Sequence, residues 1–479
     1  MKLIQFIKDH FFIYGFLCLI WFIIRTGSKP SRAQYPCQRV AALNVHLWLS
    51  TYIVPIFGII EIDRLKVNIK TFLLIFLILI GVYGYMNLNV FNKDELTLEN
   101  FQLEPTESAE PDSSIIYAVT NTNGKYKGIE RLMALMYEHN QPFYKSLKNG
   151  NLYGPDGFFD HEDIVIIKVN SQWDERGGTN TDLVKSIIEA IVNHPDGWSG
   201  EIIVADNGQA QYGASGKGGS LDWLKNNAQN HSQSIQDVVD LFPKCNVSTY
   251  LWDTITTNVV QEYAEGDFED GYVVQTNVFE ITRTIVSYPK FTTSFGTRIS
   301  FKYGVYNSET EGYDKNRLKL VNVPVLKTHM IYGVTGAVKH YMGIPSDKLT
   351  AALGYRIHNG IGRGSMGTLM AQTRVPTLNI MDAIYVNAKP KDGPSTSYMD
   401  STNVNVIAAS TDPFALDYWA SKNILYKICE KNGGNTSTLD PDNTRKGEFG
   451  DWLRLSINEL IEAGYNFTID PNEITIFVD

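Results

Sequence analysis

Apolar and polar positions divide the chain into three parts. Within the first 92 residues, three stretches carry no Asp, Glu, Lys or Arg: 10–24 (HFFIYGFLCLIWFII), 40–60 and 71–92, the last containing TFLLIFLILIGVYGYM. A bilayer span needs about 20 mainly apolar residues, so the third stretch fits best. The first reaches that length only if it also uses residues 3–7, and the second is weakened by His46, Ser50, Thr51 and Pro55. The pattern predicts two or three transmembrane helices over residues 1–92. A cleavable signal peptide is the competing reading of the first stretch, since Lys2 and Lys8 precede it. Arg25 and Lys29 follow it where a small-x-small site should stand, which predicts a retained anchor.

Residues 93–113, NKDELTLENFQLEPTESAEPD, are acidic and have no periodicity, and are read as a tether. From residue 114 to 479, short β-branched runs alternate with helical spacing. Strands are predicted over 163–169 (DIVIIKV), 201–206 (EIIVAD), 318–324, 377–385 and 404–410. Helices are predicted over 181–194, with Thr181 as cap, and over 413–428 and 451–464. This alternation predicts an α/β domain with a largely parallel sheet, flanking helices and a long insertion, 207–310, rich in Gly, Asn, Ser and aromatic residues.

Composition changes the picture in two ways. The 479 residues are 43% hydrophobic and 20% charged, which excludes a disordered chain, and the net charge of −10 argues against nucleic acid as a partner. The first 90 residues nevertheless hold nine Lys/Arg against three Asp/Glu, a local +6 that leaves −16 for the rest. Basic residues at 64–70 just before the third stretch, and acidic ones after it, place the large domain outside the cytoplasm by positive-inside counting. The protein is thus expected at the cell membrane as a multi-pass protein, its large domain extracytoplasmic. Sequons at Asn246, Asn435 and Asn466 are compatible with that location. Four cysteines (Cys18, Cys37, Cys245 and Cys429) include no C-x-x-C pair, so no iron–sulfur cluster is expected; a Cys245–Cys429 bridge is left open.

Ligands of open α/β sheets gather at the carboxyl ends of the strands. Lys168 and Asn170 close the first predicted strand, Asp206 closes the second, Lys327 and His329 follow the third, and Asp382 interrupts NIMDAI. Lys327 and His329 alternate on extended chain and so share a face. Lys339 and His340 follow three residues after Gly336, and His358 lies in RIHNGIGRG. Lysines and histidines together attract phosphate or carboxylate, or transfer protons. Asp412 and Pro413 have the pattern of a helix cap and first position, while Asp417 is read either as dipole-stabilised or as a cation ligand. The Gly-rich run NGQAQYGASGKGGS (207–220) fails the phosphate-loop pattern, because Gln211 and Gly218 stand where Gly and Ser/Thr should, and is read as a rim loop or lid.

These segments resemble the DUF362 family, a domain of unknown function: IIKVN (166–170), IIVADNG (202–208), VPVLKTH with GVTGAVKHYMG (323–343), LNIMDAI (378–384) and STDPFALD (410–417). The resemblance spans roughly residues 115–430. Family members often carry ferredoxin-type cysteine clusters, which this chain lacks, and usually show Asn where it has His340. The sequence therefore predicts an enzyme acting on a small anionic substrate bearing phosphate or carboxylate. Lys327, His329 and Lys339 are the catalytic candidates, and Lys168, Asn170 and His358 the substrate-binding ones. Asp206, Asp382 and Asp417 are candidate ligands of a hard divalent cation such as magnesium, calcium or manganese. The alternative is a non-catalytic module that binds a ligand or partner at the membrane surface.

Overall fold

The computed structural model describes Leu19, Trp21, the backbone of Leu96–Thr97, and residues 101–105, 114–148, 150–208, 219–350 and 356–479. The chain separates into two units, Met1–Asp94 and Glu95–Asp479. Apart from Leu19 and Trp21, the three apolar stretches, with Cys37 and most of the tether and of the Gly-rich loop, lie outside the described residues. Among the described residues no helix is long and apolar enough to cross a membrane.

The second unit is built on one large sheet. Eight of its eleven strands form the main path: β1 (Ser114–Val119), β2 (Ile164–Lys168), β3 (Glu201–Asp206), β4 (Val247–Leu251), β5 (Leu318–Asn322), β6 (Leu378–Asn387), β7 (Thr402–Ser410) and β8 (Ile474–Val478). They lie in the order β8-β1-β7-β6-β5-β2-β3-β4. All run parallel except β7, which is antiparallel to both neighbours, β6 and β1. The largely parallel sheet expected from the alternation is present. Strand Val325–His329 continues the chain of β5 and pairs in parallel with the far end of β6.

Both faces of the sheet are covered, which is why its strands are apolar without alternating. In β2, Val165 and Ile167 pack with α1 (Tyr126–Glu138) and α2 (Thr181–Val192), while Ile164 and Ile166 face the opposite core. That second core includes α4 (Ser365–Gln372), α5 (Pro413–Ala420) and α6 (Phe449–Glu462). The cap of α2 is Asn180, whose side chain accepts from the Leu183 amide, rather than Thr181. Asp412 caps α5 as expected, with Pro413 at its start.

The insertion is not only loop. Gly271–Phe279, Thr284–Thr292, Arg298–Ser300, Gly304–Asn307 and Gly312–Asp314 form a five-stranded antiparallel meander, outside the predicted strands. Its Tyr272, Val286, Tyr288, Phe291 and Ile299 join the core that holds α4 to α6. Cys245 and Cys429 are both free.

Candidate functional site

β2 and β3 end side by side, with Lys168 in register with Ala205. Asp206, the next residue, lies 2.9 Å from Lys168 Nζ, and both side chains are only 2% exposed. The other carboxylate oxygen accepts from the Ser171 amide at 2.8 Å and its hydroxyl at 3.0 Å. Gly343 closes over this ion pair: a Cβ there would fall 2.3 Å from both Lys168 Nζ and Asp206 Oδ1. The Asn207 amide donates to its carbonyl and holds it in place.

Lys327 reaches the same point from strand Val325–His329. It is fully buried, and its ammonium donates to the Gly177 carbonyl. Lys339 arrives on α3 (Ala337–His340), a helix of four residues. A helix so short does not hold by itself. Asp417, from α5, fixes it by accepting from the Ala337 and Val338 amides at 2.5 and 2.9 Å. Gly336 is obligatory at this joint, because a Cβ would lie 2.2 Å from the Asp417 carboxylate.

Lys168, Lys327 and Lys339, with Asp206, Asn170 and Gly343, line one small pocket, a cavity of about 20 Å³. That suits one small ion or the charged end of a larger molecule. Three buried lysines face a single carboxylate there. Burial holds Lys327 far below the usual lysine range, and repulsion from Lys339 adds to it. Burial, then Lys168, brings Lys339 down to about 7. Burial also lowers Lys168, against the pull of Asp206. Only Lys339 has no carboxylate beside it; the nearest ring, Tyr332, is 5.9 Å from its ammonium. An excess of buried positive charge of this kind is costly unless an anion arrives.

His329 Nδ1 accepts from the Ile331 and Tyr332 amides at 3.1 and 3.2 Å. The ring proton is therefore on Nε2, and burial and the adjacent Lys339 keep the ring neutral. His329 is a fixed hydrogen-bond donor rather than a base. His358 is at this end of the site, its ring 6.3 Å from that of His329, and burial lowers it to about 4. His340 also stands in the pocket wall; it is buried, with Nδ1 2.8 Å from Asn322 Oδ1. Asn322 in turn donates to Asn379, so this histidine belongs to a polar chain crossing β5 and β6.

The three carboxylates expected to share a cation are not brought together. Asp206 pairs with Lys168. Asp382 accepts from the Asn180 amide and the Asn227 side chain, both at 2.9 Å, and braces the start of α2. Asp417 is occupied by α3. Among the described residues no group of three His, Cys, Asp or Glu is placed to hold a metal ion. The sequence reading missed Trp173, Asn207 and Thr335 in the pocket wall. Asn207 follows a strand-end carboxylate and was within reach of that reading; Trp173 and Thr335 gave no signal.

The profile of one family, DUF362 (domain of unknown function), matches residues 317–422. Over that segment the chain is similar to this family. No curated protein and no solved structure compared with the chain matches it. The DUF362 segment supplies Lys327, His329, Lys339, Asp382 and Asp417. Lys168 and Asp206 come from strands before it, so the pocket is completed by chain outside the matched segment.

Proposed function

We propose that this pocket binds the phosphate or carboxylate of a small substrate, and that Lys339 exchanges a proton with it. The observation that carries this reading is the group of three buried lysines around one carboxylate, with Lys339 unpaired. An amine near neutrality exists in both forms at physiological pH, which is what general acid–base work needs. Lys327 supplies a donor to the anion and Asn170 stands in the same wall; His329 and His358 lie outside that wall. The protein acts, in this reading, as a membrane-anchored extracytoplasmic enzyme. The apolar stretches of the first 92 residues and the charge step after them support the anchor.

The test is calorimetric titration of the full chain in detergent with inorganic phosphate and with acetate, each with and without magnesium, for wild type and Lys339→Met. Binding by wild type, weakened at least about tenfold in the variant, is the expected result. Failure of every titration with wild type, or equal binding by both, removes the reading. Binding without turnover of any phosphorylated or carboxylated compound leaves the accessory module in its place.

A further inference from the structure

A second pocket lies at the opposite edge of the sheet, where the parallel strands begin. Its wall includes Lys315, shortly before β5, Pro376, just before β6, and Thr411, just after the antiparallel β7. Ser410 pairs with Asn379, which fixes this as the amino end of the parallel strands. Its volume is about 320 Å³. The carboxyl-end rule for α/β sheets does not account for it.

Arg374 forms part of its wall and is 8% exposed. Nε donates to the Phe301 carbonyl at 3.0 Å, and Nη1 to the Lys315 and Leu318 carbonyls at 3.1 and 2.8 Å. Nη2 is buried and has no partner among the described residues. A guanidinium fork held on two nitrogens, with the third buried and unpartnered, is preorganised for an anionic oxygen. Lys315, exposed beside it, supplies a second cation. Two aromatic rings complete the wall beside Val375, Pro376 and Thr411. Tyr465 and Phe467 stack at 5.4 Å and 19°. No carboxylate lines this wall, so its two cations have no built-in counter-charge.

We propose that this pocket binds a small planar aromatic compound bearing a phosphate or carboxylate, its anion on Arg374 and Lys315 and its ring against Tyr465 and Phe467. Stacking supplies area at little entropic cost, and the fork supplies direction. The site is independent of the lysine pocket at the carboxyl edge.

The test uses the full chain in detergent carrying Lys339→Met, which disables the first pocket, and titrates it with phenyl phosphate and inorganic phosphate. Phenyl phosphate is expected to bind at least about tenfold more tightly than inorganic phosphate. Adding Lys315→Ala or Tyr465→Ala should each weaken it about tenfold; both side chains are exposed, so the fold survives. No saturable binding, equal affinity for the two compounds, or indifference to either substitution overturns the proposal. Failure of phosphate binding at the first pocket leaves this outcome unaffected.

Discussion

Lys339 is buried with no anion to answer its charge, and this fixes how stability must vary with pH. Its folded value, about 7, lies below the ordinary 10.5. Between those values the unfolded chain holds a proton that the folded chain has released, so stability rises with pH across that window. The Lys339→Met variant lacks this component. At pH 7 it should be more stable than wild type by a few kcal/mol, a gap that narrows toward pH 10. Urea unfolding at intervals over that range measures it, and parallel curves for the two proteins would show that the lysine is not strained. Gly343→Ala tests the neighbouring ion pair. Its methyl group would displace Lys168 or Asp206, at a cost of about 1–3 kcal/mol by the same assay. The lysines themselves were legible in the sequence, because strand-end position depends on local pattern. The capping role of Asp417 was not, since its partners Ala337 and Val338 are 80 and 79 positions away.

Among the elements, α3 shows what positions the chemistry. Four residues do not make a stable helix in isolation, and two of the first amides of this one end on Asp417. Asp417→Ala should therefore cost about 1–3 kcal/mol for each donor left unpaired in the core. It should also weaken phosphate binding, because Lys339 is carried by that helix. Asp417→Asn keeps one acceptor oxygen and should lose less. Burial raises the Asp417 carboxyl from 3.8 to about 7. With the folded value the higher one, its contribution is full below about pH 4 and is lost as pH rises through 7. The Asn variant should lack that fall, which denaturation midpoints between pH 4 and 8 would show. Strands β2, β3, β6 and β7 were readable because burial on both faces leaves dense β-branched runs. The meander of the insertion was not: its second strand, Thr284–Thr292, is buried, but its sequence mixes polar and apolar residues and its burial depends on distant contacts such as those with α4.

For the molecule as a whole, the α/β class followed from strand–helix alternation, but the sheet's edge did not. β1 (SIIYAV) and β8 (ITIFV) pair with each other across almost the full length of the domain. Nothing local to either run announces the other. In the proposed membrane-anchored reading, the side on which this domain sits is a property of the whole chain, expected from the basic residues ahead of the third apolar stretch and the acidic ones after it. The sequon asparagines Asn246, Asn435 and Asn466, and Asn230 in a fourth sequon (Asn230-His231-Ser232), are all exposed on the folded domain. Their side chains are sterically open to glycan transfer, which occurs only on the translocated side. Translation of the full chain with microsomal membranes should then give a mass increase removed by endoglycosidase and absent from the variant with all four asparagines changed to Gln. The product should remain with the membranes after alkaline extraction, since spans of about 20 apolar residues do not wash out. A chain extracted at alkaline pH contradicts the anchor. A chain that stays but gains no glycan, with the domain digested by added protease, contradicts the orientation instead. The two outcomes separate the apolar stretches from the charge step as causes, because the first reports insertion and the second reports which flank was held back.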